Sequence, residues 1–118
     1  MASGFTELCV DCSDPKGLAT FWRDVLEWEL AEEDGDWYIQ PPKGDMPVIL
    51  FTVVPEKKTV KNRLHIDVSP RDREQDEEVE RITALGAKRV DIGQGDVSWV
   101  VLADPEGNEF CVLRTRRP

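Results

Sequence analysis

Positive charge is scarce in this chain. Its 15 Lys and Arg are set against 24 Asp and Glu, leaving a formal net charge of −9 over 118 residues. With no basic stripe, nothing here would hold a polyanionic backbone, so a nucleic-acid partner is excluded. Arg114, Arg116 and Arg117 make only a short basic tail of the kind that is usually solvated. Long apolar runs are missing too. No stretch approaches the ~20 residues of a membrane span, and the first residues lack a signal-peptide pattern. The expectation is a cytoplasmic protein without a membrane partner. Three cysteines, Cys9, Cys12 and Cys111, give no disulfide framework. Cys9 and Cys12 do form a C-x-x-C, but residues three apart on an extended strand point to opposite faces, which disfavours a redox pair or zinc knuckle. There is no P-loop, dinucleotide fingerprint or nucleophile elbow. Histidine occurs once, so any imidazole chemistry falls to His65.

What the chain does have is an internal repeat. Phe5–Glu56 and Lys61–Thr115 each read as strand, helix and three further strands. Glu7-Leu8-Cys9-Val10 matches His65-Ile66-Asp67-Val68 at an offset of 58, and Trp37-Tyr38-Ile39 matches Trp99-Val100-Val101 at 62. The turn Pro41–Asp45 matches Asp104–Asn108 at 63. A unit of roughly 50 residues buries little apolar surface alone, so two copies are expected to complete one core around a cleft. At these offsets Glu7 and His65 are equivalent positions converging on that cleft. The whole of 1–118 reads as a single domain, with module one at about 5–56, a polar linker at 57–62 and module two at about 63–115.

Local signals fill in the elements. Leu8, Val10 and Cys12 alternate with Glu7, Cys9 and Asp11 on the first strand. Asp14-Pro15 offers a cap acceptor and a first-turn proline, and Leu18, Phe21, Trp22, Val25 and Leu26 make the helical stripe. Asp34-Gly35 reads as a hairpin turn between Trp28–Glu33 and Asp36–Gln40, and Val48–Val54 as a buried strand. In the second module Arg63–Ser69 reads as a strand with Arg63, His65 and Asp67 on one face. Ser69-Pro70 is expected to cap the second helix, whose stripe is Val79, Ile82 and Leu85, with Gly86 as its stop. Strands near Ala87–Ile92, Val97–Ala103 and Glu109–Thr115 complete the unit.

Asp14-Pro15, Arg63-Leu64-His65-Ile66-Asp67 and Leu102-Ala103-Asp104-Pro105-Glu106-Gly107-Asn108-Glu109-Phe110 together resemble the vicinal oxygen chelate superfamily of glyoxalases, bleomycin-resistance proteins and extradiol dioxygenases. The resemblance covers essentially the whole chain. It implies an α+β fold in which two βαβββ modules form a curled eight-stranded cup with two helices outside. It also implies a small ligand in the cup, often over a divalent metal, and a homodimer, since uncovered sheet edges tend to pair or pack.

Catalytic members of that superfamily place His or Gln on the first strand, Glu on the fourth, His on the fifth and Glu on the eighth. Here those positions fall on Glu7, on Thr52 (Leu50 if the register slips by two), on His65 and on Cys111. Only His65 keeps the pattern. Strand parity puts Glu7, Thr52, His65 and Cys111 on the face away from the helices. Glu7, His65 and Cys111 are thus candidate ligands for a divalent ion such as zinc. The competing reading is no native metal, with His65 a hydrogen-bonder and Cys111 a small apolar filler.

His65 and Glu7 are accordingly the candidate catalytic residues. Arg63, Asp67, Thr52, Cys111, Trp37 and Trp99 are candidate ligand contacts, Arg63 for an anionic group and the tryptophans for an aromatic one. Three activities follow from the resemblance: a metal-assisted lyase or isomerase on a small carbonyl substrate, a metal-free protein sequestering an aromatic antibiotic, and a metal-free enzyme using His65 as base.

Overall fold

The structure, a computed structural model, describes residues 2–43 and 47–114. Two compact units emerge, Met1–Lys57 and Lys58–Pro118. Each is a βαβββ module, so the fold is α+β, as the repeat and the resemblance indicated. The eight strands are divided into two four-stranded mixed sheets with the same order of strands.

In the first unit, β1 (Glu7–Cys12) leads into α1 (Pro15–Leu26), followed by β2 (Glu29–Glu33), β3 (Asp36–Gln40) and β4 (Val48–Val53). The sheet order is β1-β4-β3-β2, with β1 and β4 parallel. Asp14 caps α1 by accepting a hydrogen bond from the Gly17 backbone N–H at 3.2 Å. Leu18, Ala19, Phe21, Trp22 and Val25 are buried on the inner stripe of the helix. Glu27 ends it in the left-handed region, and its N–H returns to the Arg23 carbonyl. Asp34 and Gly35 both have positive φ, at 54° and 89°, which is the backbone a two-residue hairpin requires. Ile39, Ile49 and Phe51 share one sheet face, are buried and meet α1.

The second unit repeats the plan with β5 (Ile66–Val68), α2 (Gln75–Ala84), β6 (Lys88–Arg89), β7 (Val100–Ala103) and β8 (Glu109–Val112), in sheet order β5-β8-β7-β6. Several boundaries differ from those read in the sequence. β5 starts at Ile66 rather than Arg63, and Leu64 is 83% exposed. Ladder hydrogen bonds, not alternation, define where a strand starts, and Arg63-Leu64 lie in a bend before them. The helix opens at Gln75 rather than after Ser69-Pro70. Its start is set by the Glu77 side chain, which accepts from the Glu74 backbone N–H at 3.0 Å. Three acidic residues in that first turn suit the positive end of the helix dipole. Val79 and Ile82 are buried, whereas Leu85 lies at the surface.

The segment read as a linker is fastened to the second sheet. Lys58 Nζ lies 2.8 Å from Glu109 Oε2, and the Asn62 N–H donates to Glu109 Oε1 at 3.0 Å. Asn62 Nδ2 donates to Asn108 Oδ1 at 2.8 Å. Asn108 in turn belongs to a turn built on Asp104, which is only 5% exposed. Asp104 Oδ1 accepts from the N–H groups of Glu106 and Asn108 at 2.9 and 3.0 Å, and Gly107 supplies the positive φ the turn needs. The Asp104–Asn108 motif therefore holds both the β7–β8 turn and the approach to His65. Its first-module counterpart, Pro41–Asp45, lies partly outside the described residues, as does Thr115.

Candidate functional site

Asp67 is the centre of the polar group on β5. It stands opposite Cys111 across the parallel β5–β8 pair, so the two side chains leave the same face. His65, two residues earlier, places Nδ1 3.1 Å from Asp67 Oδ1. The ligand atoms of His65, Asp67 and Cys111 all lie within 4.8 Å of one another. Cys111 is buried, whereas His65 and Asp67 are open to solvent. Burial pushes the Cys111 thiol pKa up, and the charge and hydrogen bond of Asp67 push it further, against a smaller opposing pull from Lys61. Cys111 is thus a protonated thiol donating to the Asp67 carboxylate, which also faces His65. Glu109 shows the reverse behaviour. Desolvation alone would raise its pKa, but the Lys58 bond and the Asn62 N–H together bring it below the usual glutamate value.

Three placements revise the readings above. The Val54 N–H closes on the Cys12 carbonyl at 2.9 Å, and the Leu113 N–H closes on the Val68 carbonyl at 2.8 Å. Aligned on these closures, Asp67 matches Asp11, Cys111 matches Thr52, and His65 matches Cys9 rather than Glu7. The sequence offset was two residues too large, a slip that preserves the face and so leaves no trace in the alternation. Glu7 belongs to the first unit, and the donor cluster is completed within the second unit by Asp67.

Trp37 is the second revision. It is the register partner of Phe51, so it lies on the sheet face that carries α1. Lys16, on that helix, holds its ammonium 5.5 Å from the Trp37 ring centroid. Its counterpart in the second module is Leu102, the partner of Phe110, and not Trp99. Trp99 precedes β7, is 40% exposed, and borders an open hollow of about 370 Å³ with Arg89, Asp91 and Gln94. That hollow was not foreseen, because the strand read near Ala87–Ile92 ends at Arg89, and Asp91 and Gln94 lie in the loop beyond it.

The third concerns Arg63, which lies in the bend before β5 rather than on the strand. Thr52 remains on the outward face of the first sheet, where Cys9 Sγ approaches its hydroxyl at 3.8 Å. Cys12 points the other way, is buried, and reaches the Thr52 carbonyl at 3.6 Å. The two sulfurs of the C-x-x-C therefore diverge.

Residues 7–113 match the family model of the glyoxalase-like domain. The chain belongs to that family, within the vicinal oxygen chelate superfamily. Solved structures share the fold at low identity. FosX from Listeria monocytogenes, a fosfomycin resistance protein complexed with Mn(II) and sulfate, is 19% identical with a TM-score of 0.71, covering 98% of this chain and 95% of that one. FosX from Mesorhizobium loti is 15% identical with a TM-score of 0.70, at the same coverage. A glyoxalase/bleomycin resistance protein/dioxygenase family enzyme from Burkholderia phytofirmans PsJN is 15% identical, with a TM-score of 0.69 over 91% of this chain and 94% of that one. No curated protein matches the sequence. Among the described residues, no helix is long and apolar enough to cross a membrane.

The superfamily resemblance implies a hard divalent cation held by His and Glu. The donors here do not fit it. The cluster of the second unit offers an imidazole, a thiol and one carboxylate, where a hard ion asks for about six oxygens.

Proposed function

We propose that the chain binds a small polar molecule on the Asp67–Cys111 face of the second module, and that His65 takes a proton from it. The reaction class is that of a lyase or isomerase acting on a small carbonyl compound. One observation carries the reading: the 3.1 Å contact between His65 Nδ1 and Asp67 Oδ1. When Nδ1–H donates to the carboxylate, Nε2 keeps its lone pair and becomes the proton acceptor, and the carboxylate stabilises the imidazolium that forms. Proton loss beside a carbonyl sends the electron pair to the oxygen. Return of the proton to the neighbouring carbon completes an isomerisation, and departure of a leaving group completes an elimination.

The test is ligand binding by the chelator-treated full chain, read as a thermal shift across a panel of small carbonyl compounds, with fosfomycin included because two similar structures are resistance proteins for it. A carbonyl compound that stabilises the parent and not His65→Ala supports the reading. Equal stabilisation of both proteins overturns it.

Trp99 supports a second reading. Its exposed ring beside Arg89 suits an aromatic or anionic guest, as a drug-sequestering protein would require. An aromatic antibiotic that quenches Trp99 and binds His65→Ala normally would favour it. We also propose a cytoplasmic homodimer, since each four-stranded sheet ends on edges with no strand partner among the described residues. Light scattering should give twice the monomer mass.

A further inference from the structure

The segment ahead of β5 brings two lysines to the second sheet, and a carboxylate neutralises one of them. Lys58 Nζ lies 2.8 Å from Glu109 Oε2. Lys61 Nζ donates to the Asn62 carbonyl at 3.1 Å and makes no ion pair among the described residues. Asn62 is itself fixed, by its N–H on Glu109 and its side-chain amide on Asn108. Glu109 and Cys111 are alternate residues of β8 and leave the same face. Lys61 is thereby held beside the Asp67–Cys111 face. Its charge is felt there, since it opposes the rise in the Cys111 thiol pKa. We propose that Lys61 determines the specificity of this face: its ammonium receives the carboxylate of a small oxo acid whose carbonyl carbon lies toward His65. The proposal rests on the proton-accepting role given to His65 above.

Charge makes the case. The chain carries a net −9, so an anionic ligand needs a local cation that no carboxylate has already neutralised. Both carboxylates near the site are engaged. Glu109 takes the Lys58 ammonium and the Asn62 N–H, and Asp67 accepts from Cys111 and faces His65. An ammonium has three donors, and Lys61 uses one on the Asn62 carbonyl, leaving two for a carboxylate. Anchoring of Asn62 lowers the cost of ordering the lysine beside it. When a proton leaves the carbon next to the carbonyl for His65 Nε2, the electron pair moves to the carbonyl oxygen. The carboxylate is unchanged in that step, so Lys61 holds the substrate and transfers nothing. Arg63, the residue read for an anionic group in the sequence, lies in the bend before β5.

The experiment is calorimetric titration of the chelator-treated full chain with matched pairs, pyruvate and 2-oxobutanoate, each against its methyl ester. Both acids should bind the parent more tightly than their esters. Lys61→Met should weaken the acids by about ten- to a hundredfold, the effect of losing one charged hydrogen bond, and leave the esters unchanged. Lys61→Arg should keep the preference for acid. Lys57→Met removes the same charge at an exposed position and should leave acid affinity as in the parent. No acid binding in the parent, equal affinity for acid and ester, full acid affinity in Lys61→Met, or an equal loss in Lys57→Met overturns the proposal. Should Lys61→Met misfold, Lys61→Gln decides by the same criteria. The two readings fail separately. Ester binding that requires His65 and ignores Lys61 overturns the role of Lys61 alone. Acid binding that requires Lys61 yet survives His65→Ala overturns the role of His65 and keeps the anion site.

Discussion

Asp67 and Cys111 face each other across the parallel strands β5 and β8, at the register position where the first module pairs Asp11 with Thr52. The repeat has kept the carboxylate in both modules and changed what stands opposite it. In the first module the aspartate faces a hydroxyl, with Cys9 two residues before it. In the second it faces a buried thiol, with His65 two residues before it. Burial raises the thiol pKa and the carboxylate raises it further, while the same side chain lies 3.1 Å from the imidazole Nδ1. One carboxylate thus acts on both neighbours.

Removing that charge should wake the thiol. In Asp67→Asn the burial of Cys111 remains, but the carboxylate contribution to its raised pKa is gone. The thiolate fraction near pH 8 then rises by up to about tenfold for each pKa unit restored. Iodoacetamide labelling of the native protein, mapped by peptide mass, should show Cys111 reacting faster in the variant than in the parent. The parent should also lose stability as pH climbs past the usual thiol value of 9.0, since a raised folded pKa favours the protonated thiol and its contribution fades as that proton leaves.

The three thiols should otherwise separate by access. Cys9 is exposed, and Cys12 and Cys111 are buried. Short treatment of the folded chain with a chromogenic disulfide should modify one thiol, mapped to Cys9, and the other two should follow only in denaturant. A Cys9–Cys12 disulfide should not form in the native protein, because the two side chains leave β1 on opposite faces.

Much of this arrangement was legible in the sequence, for definite reasons. The alternation of Leu8, Val10 and Cys12 fixes the buried face of β1, and Asp14-Pro15 marks the start of α1 because a cap acceptor and a fixed φ satisfy what a helix start lacks. Two things were not legible. Parity is blind to a slip of two, so Glu7 was matched to His65 where the hydrogen bonding matches Cys9. Similar tryptophans suggested that Trp37 and Trp99 are equivalent, but strand register depends on the partner strand, and Phe51 sets Trp37 on the helix side. The carboxylate of Asp67 was seen as a ligand contact, yet its pairing with Cys111 needed the β5–β8 register.

Glu109 should make the protein sensitive to acid. Its carboxylate takes a bond from Lys58 and one from the Asn62 backbone, and its folded pKa lies below the ordinary 4.5. A lowered folded pKa means the contribution is present in full above that ordinary value and is lost as pH falls through the folded one. Glu109→Gln should cost about 1–2 kcal/mol at neutral pH, since a charged bond weakens and a neighbouring lysine loses its partner. Urea midpoints at pH 7 should therefore differ between parent and variant, and the gap should narrow near pH 3.

Trp37 and Trp99 should divide stability from binding. Trp37 packs on the α1 side of the first sheet under Lys16, so Trp37→Ala removes apolar contact and a cation–π interaction together. Its half-buried position puts the loss at roughly 2–3 kcal/mol, below the cost of a fully buried tryptophan. Trp99 is 40% exposed at the rim of the Arg89 hollow, so Trp99→Ala should move the unfolding midpoint by less than about 1 kcal/mol. Binding of any aromatic ligand should follow the opposite order, weakened in Trp99→Ala and retained in Trp37→Ala below its melting point. Urea unfolding and fluorescence titration of the two variants measure both quantities. Lost ligand affinity in Trp37→Ala, with Trp99→Ala unaffected, would place the aromatic wall on the helix side and contradict the register.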